Sequence, residues 1–270
     1  MEAEHNEKGT AMRPTAKEAY TRLLALRYVV AYSIFVPKRP EVKGIFARWS
    51  REVREYNRMC GMVTSATLMA IDDENLWDSV SPKEMRFITG FSYGMGDYVR
   101  FAASWRSECM IMLMWALGLY DRWPPIDKET APEIAGALPR GKAAFEKMPE
   151  LLPAEEIDKK RDLIELWHWR QRTRQLVEMG EVFPATEKSK AAGLGTFDDV
   201  VRLTARESFK DGQLPEIKDE DFVFLGKPFR DLTDEEYSLA TSIIMERHHA
   251  LNWLCGYAPE NFWDLTPTET

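Results

Sequence analysis

The final stretch of the chain concentrates side chains that can do chemistry. Residues 246–249 read Glu-Arg-His-His, and a carboxylate, a guanidinium and an imidazole together can bind an anion and transfer a proton. Glu246 and His249 are three residues apart, as are Glu165 and His168. That spacing puts both groups on one helical face, and two such pairs with two further glutamates hold the metals of di-iron four-helix proteins.

The di-iron interpretation is the weakest that the residues allow. A third match, Glu2 to His5, lies in the polar N-terminal segment, so a glutamate-rich chain produces the pattern easily. Helical spacing places Glu165, His168 and His249 on solvated faces. The sequence also contains no HExxH, GxSxG, Walker A or GxGxxG motif. We therefore predict no metal site and no cofactor.

The last helix, predicted over residues 233–256, directs consecutive polar residues into the protein. Its apolar stripe includes Arg247 and His248, and Glu246 lies on a second apolar flank. Beyond this helix, we expect Trp263 to fold back and bury its ring, with Asp264 capping or pairing beside it. The ending is therefore predicted to be ordered core.

Two further helices carry inward-facing charges. An almost wholly apolar helix predicted over 104–123 contains Arg106 and Glu108, and Arg170 lies on the apolar stripe of a helix predicted over 153–180. A buried charge that loses its partner costs about 3–5 kcal/mol, so these residues should pair with one another. We predict one polar cluster made of Arg106, Glu108, Arg170, Glu246, Arg247 and His248.

Two interpretations of this cluster stay open. It is either a structural network that fixes how the helices pack, or a pocket whose arginines bind an anionic group while a carboxylate and a histidine transfer a proton. The first is the more common use of buried ion pairs, and the second would make the protein an enzyme or a small-ligand binder.

Composition restricts the class of protein. The chain has 270 residues, of which 44% are hydrophobic and 30% charged, and its net charge of −8 argues against a nucleic-acid partner. Three cysteines without a CxxC pair are typical of a reducing cytoplasm and not of a disulfide framework. The longest apolar run, residues 109–120, is too short to span a bilayer. Residues 1–14 are polar, predicting a disordered tail without a signal peptide.

Helical patterns dominate the rest of the chain, with predicted helices over 16–36, 51–71 (interrupted near Gly61), from Ser81, 104–123, 153–180, 196–210 and 233–256. Capping-box patterns at residues 81–84 and 233–236 mark two helix starts. Residues 219–229 are the one convincing strand signal and predict a small β-hairpin. We predict a mainly α, bundle-like single domain over 15–270, with helices 104–123 and 233–256 at its centre. A boundary near 125–150 is the alternative.

Several segments resemble a known family. The ending ERHHALNWLCGYAPENFWDLTPTET and residues 105–119, WRSECMIMLMWALGL, resemble the signatures of an uncharacterised, largely bacterial family, domain of unknown function 4272. Residues 74–88 and 219–229 resemble its intervening segments, and Trp169-Arg170 resembles its aromatic–arginine pair. The resemblance implies a helical fold and an intracellular location, without an established activity. Its other pattern positions fall on Arg106, Glu108, Glu246, Arg247, His248, Asn252, Trp253, Trp263 and Asp264.

The leading functional hypothesis is a cytoplasmic, non-enzymatic interaction protein, such as a toxin-neutralising or phage-related partner binder. It depends on the acidic charge, the helical pattern and the missing catalytic motifs. Its rival is an enzyme or ligand binder acting on an anionic substrate. We expect a protein partner at most, with no nucleic acid and no membrane; the oligomeric state is not readable. The candidate binding residues are Arg106, Glu108, Arg170, Glu246, Arg247, His248, Asn252, Trp253, Trp263 and Asp264.

Overall fold

The computed structural model describes residues 12–41, 50–90 and 97–268, and it is mainly α-helical with a small antiparallel sheet. The predicted fold class is therefore confirmed. Residues 1–11 of the predicted disordered tail lie outside the described residues. The α-helices are α1 (Ala16–Phe35), α2 (Arg51–Asp73), α3 (Pro82–Thr89), α4 (Asp97–Ser104), α5 (Arg106–Ala116), α6 (Ala154–Glu178), α7 (Glu187–Ala191), α8 (Phe197–Lys210) and α9 (Asp234–Leu254).

Both predicted capping boxes are present. The Ser81 hydroxyl accepts from the backbone N–H of Glu84, whose carboxylate accepts in return from the Ser81 N–H at 2.9 Å. Thr233 and Glu236 make the same reciprocal pair before α9. Each box satisfies two backbone donors that a helix start leaves open, which is why the pattern locates these starts well.

The chain divides into two compact units. Unit 1 comprises the described residues of Met1–Trp123, Thr130–Ile157 and His249–Pro267, and unit 2 comprises Pro124–Glu129, Asp158–His248 and the remaining C-terminal residues. Helices α6 and α9 each contribute residues to both units. The single domain over 15–270, and the alternative boundary near 125–150, stay predictions.

Unit 1 has α1 at its centre, packed against α2, α3, α4 and α5. Two arginines inside the apolar run of α1 are buried with carboxylate partners: Arg22 pairs with Glu84 and Arg27 with Glu74. Every residue of α5 after Arg106 is buried, as the sequence predicts. The buried arginines of α1 lie within an apolar helical pattern and are not among the inward-facing charges predicted from the sequence.

Unit 2 contains the sheet, whose strands β1 (Ile217–Lys218), β2 (Asp221–Phe224) and β3 (Lys227–Pro228) pair antiparallel in that order. The predicted hairpin is β2–β3, with Leu225 and Gly226 in its turn at φ values of 51° and 72°. Helix α8 packs on the first two strands. Trp167 of α6 lies edge-on against Phe222 with ring centroids 5.2 Å apart, so an aromatic core joins α6 to the sheet.

Two helix predictions need correction. The helix predicted over 104–123 is α5, which ends at Ala116 because Gly118 adopts a left-handed φ of 65° and Leu119 N–H donates back to Met114. Helix α2 continues through Gly61 without interruption. A β-carbon at Gly61 would meet nothing within 4 Å, so this glycine is not a packing requirement.

Candidate functional site

Two histidines face each other inside unit 2. His168 Nδ1 and His248 Nδ1 are 2.8 Å apart, with His168 5% exposed and His248 fully buried. Burial, followed by the proximity of His168 and Arg161, lowers the pKa of His248 to about 3. Burial, followed by the charge of Arg172, also lowers the pKa of His168. Both rings are therefore neutral near pH 7, when one Nδ1 donates and the other accepts.

The placement of His168 corrects the sequence prediction that put it on a solvated face. The helical pattern around it is mixed in polarity, and the partner that covers it, His248, is 80 residues away. His249, also predicted on a polar side, is half-buried and its ring lies 4.5 Å from Trp263 in unit 1. Burial, followed by the charges of Arg106 and Arg22, lowers the pKa of His249 to about 3.

Arg247 is fully buried and holds a loop of unit 2. Its guanidinium donates to the backbone carbonyl oxygens of Pro124, Pro125 and Lys128 at 3.3, 2.8 and 3.0 Å. Proline lacks a backbone N–H, so a Pro-Pro pair leaves carbonyls that regular secondary structure does not satisfy. Arg247 donates hydrogen bonds to these carbonyls, and it can reach them because it lies on the inward-facing stripe of α9.

Arg170 is buried, as predicted, but its partner is Asp221 of β2, which lies outside the predicted cluster. The guanidinium donates to both carboxylate oxygens, at 2.6 and 2.7 Å, and the N–H groups of Phe222 and Arg230 donate to the same carboxylate. Burial alone would raise the pKa of Asp221, but the hydrogen bonds and charge of Arg170 outweigh it and lower the pKa. This is a structural pair joining α6 to the sheet.

Glu108 holds a loop in unit 1. It is fully buried, and its two oxygens accept from the backbone N–H and the hydroxyl of Thr130. Arg106 is half-buried at the start of α5, and Glu246 is half-buried in unit 2. Because Arg106 and Glu108 belong to unit 1, whereas Arg170 and residues 246–248 belong to unit 2, a single cluster of all six stays a prediction.

The C-terminal tail after α9 folds back within unit 1, as the sequence predicts. Trp263 is 5% exposed and its ring lies 5.3 Å from that of Trp253. Asn252 donates to the Pro267 carbonyl at 2.8 Å, and Trp253 Nε1 donates to the Asn261 carbonyl at 3.0 Å. These two hydrogen bonds and the ring contact attach the tail at three points.

Asp264 connects the tail to α3. Its Oδ2 accepts from the Lys83 backbone N–H at 2.9 Å, and Lys83 Nζ donates to the Asp264 carbonyl at 3.2 Å. A carboxylate on the first turn of a helix stabilises it through the orphan N–H groups and the helix dipole. This pairing was predicted only as a cap or an ion pair of unknown partner.

We expect Asp264→Ala to lower the free energy of unfolding by about 1 kcal/mol, the usual contribution of such a cap. Chemical denaturation measures the change. Glu260→Ala, an exposed carboxylate of the same tail, is the matched control and should be neutral within about 0.5 kcal/mol. Equal effects of the two substitutions would contradict the capping role.

The folded tail forms one wall of a cleft in unit 1, which we call the tail cleft. It has a volume of about 540 Å³ and is lined by parts of α1, by residues 78–83 and Arg86, and by Trp253 and residues 261–265. That volume is in the range of small-ligand and peptide-anchor pockets. Phe262 and Leu265 remain 54% and 59% exposed at the cleft, although the tail that carries them is well attached.

Two charged side chains at the tail cleft are uncommitted. Arg86 and Asp78 are both exposed, and neither side chain makes a hydrogen bond or ion pair to any residue that the structure describes. The other charged lining residues are engaged: Arg22 with Glu84, Lys83 and Asp264 with each other, and Glu18 with the Thr15 cap of α1. Among the lining residues, Arg86 and Asp78 are therefore the charged side chains without a hydrogen-bond or ion-pair partner in the described part of the chain.

The cleft-lining residues also carry buried polar atoms without a hydrogen-bond partner in the described part of the chain. They are Arg22 Nε and Trp263 Nε1, both donors, and Asn261 Oδ1, an acceptor. Arg22 is nevertheless fixed, since its guanidinium stacks 4.3 Å above the Trp263 ring. An unsatisfied buried polar group costs about 1–3 kcal/mol, so these atoms favour a ligand that can bond to them.

The chain matches the family described as Domain of unknown function (DUF4272) over residues 5–185. The chain belongs to this family. No curated protein and no solved structure gave a match.

The family match covers some of the motifs that suggested it and not others. Residues 74–88 and 105–119 lie inside the matched range, and so do the lining residues of the tail cleft that come from α1 and from residues 78–86, with Asp78 and Arg86 among them. The ending, residues 246–270, lies beyond it. Assignment of family pattern positions to Glu246, Arg247 and the tail therefore stays a prediction.

The tail residues were predicted from the sequence, but the cleft that they line was not. Three separated segments build it, and Arg86 and Asp78 have the pattern of ordinary surface residues on and beside α3. One available signal was the tail itself, since NFWDL places Phe262 and Leu265 around the anchoring Trp263.

No group of three or more His, Cys, Asp or Glu side chains able to hold a metal exists within residues 12–41, 50–90 and 97–268. Helices in these same ranges are also too short or too polar to cross a bilayer.

Proposed function

We propose that this protein is a non-enzymatic interaction protein that binds a segment of a partner protein in the tail cleft. The observation that carries the proposal is an aromatic cleft on a well-attached tail, with large apolar side chains still exposed at Phe262 and Leu265. Exposed apolar groups around a concave site mark binding surfaces more often than chance exposure does.

The buried polar residues support a structural network. Arg247, Arg170 and Glu108 are almost wholly buried, and each bonds to a fixed loop or strand of its own unit. A substrate would have to displace those bonds to use these groups. The rival proposal, catalysis or binding of an anionic ligand through this cluster, has less support for that reason.

A toxin or a phage protein is the finer proposal for the partner, and the cytoplasm is the proposed location. A toxin gene beside the gene for this chain would favour that class of partner. A cluster of metabolic genes would favour the enzyme. The acidic charge of the whole chain, −8, is compatible with a basic partner surface outside the cleft.

Photo-crosslinking in the cells that encode this chain tests the proposal. A photo-reactive phenylalanine analogue replaces Phe262 in the full-length protein, and the same analogue replaces Phe101 as the matched control. Phe101 is 60% exposed in unit 1 and does not line the cleft. We expect a discrete protein adduct from position 262 that position 101 does not give. Identical adduct patterns at the two positions would reject the tail cleft as a partner site. The absence of any protein adduct at position 262 would reject it as well.

A further inference from the structure

We propose that the tail cleft recognises an extended peptide segment in which a large apolar side chain is flanked by an acidic residue and a basic residue. This inference rests on the proposed function and names the chemistry of the partner segment. It is carried by three independent properties of the cleft: its apolar wall, the charges of Arg86 and Asp78, and the buried polar atoms. Neither the charges nor these atoms have a partner in the part of the chain that the structure describes.

The apolar wall requires an apolar anchor. Trp253 and Trp263 are buried and support the cleft. Phe262 and Leu265 also line it, and each leaves more than half of its surface exposed. An inserted aromatic or large aliphatic side chain removes that surface from water, and buried aromatic anchors dominate many peptide complexes.

The free charges select what flanks the anchor. Arg86 presents a guanidinium that can hold a carboxylate in a bidentate pair, and Asp78 presents a carboxylate that can hold an ammonium or guanidinium. Asp78 lies in the short turn before α3, and Arg86 lies within α3. A segment that carries one charge of each sign can pair with both Arg86 and Asp78. A wholly acidic segment would bring like charges together at Asp78, and a wholly basic segment would do so at Arg86.

The unpartnered polar atoms favour a peptide backbone over a lipid chain or a simple anion. Arg22 Nε and Trp263 Nε1 can only donate, and Asn261 Oδ1 can only accept. An extended backbone offers carbonyl acceptors and N–H donors in alternation, so one segment can bond to both kinds of atom. All three atoms are buried in the free protein, so the tail has to move for a bound peptide to reach them.

Selection from an immobilised peptide library tests the inference with the full-length chain. The peptides are N-acetylated and C-amidated decamers, randomised at five central positions. Wild type should enrich an aromatic or large aliphatic residue with an acidic neighbour on one side and a basic neighbour on the other. Arg86→Glu should lose the acidic preference alone, and Asp78→Lys the basic preference alone, each weakening the best wild-type peptide at least tenfold. Arg122→Glu makes the same charge change at an exposed site outside the cleft and should change neither preference.

Nuclear magnetic resonance of the uniformly labelled chain locates the bound peptide. The indole N–H signal of Trp263, assigned by its loss in Trp263→Phe, should shift on addition of the best peptide because it gains a hydrogen-bond acceptor. The indole signals of tryptophans outside unit 1, Trp167 and Trp169, should not move. A bound peptide that leaves the Trp263 signal unchanged would overturn the inference.

The outcomes separate this inference from the proposed function. Enrichment of apolar peptides with no charge preference, unchanged in Arg86→Glu and Asp78→Lys, rejects the recognition chemistry and leaves a partner-binding cleft. No peptide enrichment together with a protein adduct at position 262 also rejects the peptide chemistry alone. No enrichment and no adduct rejects both.

Discussion

Arg247→Ala should lower the free energy of unfolding by about 3–5 kcal/mol, the range for breaking a buried charged network. The substitution removes three hydrogen bonds to the loop carbonyls of Pro124, Pro125 and Lys128 and leaves a cavity in place of a fully buried side chain. For a chain of this size, that loss corresponds to a drop of roughly 6–15 °C in the unfolding midpoint.

Two variants serve as controls for the Arg247→Ala substitution. Arg247→Lys keeps the positive charge but cannot reach three carbonyls in different directions, so it should recover only a small part of the loss. Arg122→Ala removes an arginine whose side chain is 84% exposed and should change stability by less than about 0.5 kcal/mol. If Arg247→Ala melts like wild type but loses the crosslinked partner, residue 247 serves binding and not the core.

The success of the inward-facing prediction for Arg247 shows how far helical periodicity reaches. An apolar stripe decides which side of a helix is covered, and Arg170 and Glu108 were placed correctly by the same reasoning. Periodicity does not name the partner, because the partner comes from another part of the chain. Asp221 lies 51 residues beyond Arg170, in a strand whose other residues gave the stronger signal.

His168 shows where the same reasoning fails. Its face of α6 also carries Glu165 and Arg172, so the local pattern predicts solvent, yet His248 covers the ring. An imidazole can be buried in its neutral form, which the charged side chains on the same face cannot without losing their charge. The mixed polarity of the face was therefore a poor guide for this one residue.

The tail cleft could not be predicted at all from single segments. Capping boxes and the glycine-ended α5 are local features that short sequence patterns specify. A cleft depends on the distance between three segments and on which charges remain unpaired after folding. Only the folded chain shows that Arg86 and Asp78 have no partner among the described residues, while Arg22, Lys83 and Glu18 are engaged.

Acidification should destabilise this protein well before its carboxylates titrate. In the folded chain His248 and His249 have pKa values of about 3, and the pKa of His168 is also lowered. An unfolded histidine has a pKa near 6.5, so below that pH the unfolded chain binds protons that the folded chain does not. Stability is therefore complete above about pH 6.5 and decreases as the pH falls towards 3.

The size of the effect follows from one proton per histidine. Each imidazole with a folded pKa of about 3 loses about 1.4 kcal/mol of stabilisation per pH unit below 6.5, which is about 2 kcal/mol at pH 5. His248 and His249 together give a loss of about 4 kcal/mol between pH 7 and pH 5, and His168 adds to it. The lowered pKa of Asp221 does not contribute in this window, because its stabilisation is lost only as the pH falls below about 4.

Matched variants assign the loss to its residues. Urea unfolding at pH 7, 6 and 5 gives the slope for wild type, and His168→Leu/His248→Leu should remove the contribution of unit 2 while leaving that of His249. His249→Phe should do the reverse. Hydrogen exchange followed by mass spectrometry reads the two units separately, so the first variant should flatten the pH dependence of protection in unit 2 alone.

A wild-type unfolding free energy that stays constant from pH 7 to pH 5 would mean that the three imidazoles accept protons without unfolding. The facing Nδ1 atoms 2.8 Å apart could not then be a neutral pair, since two protonated rings would place a proton on each of them.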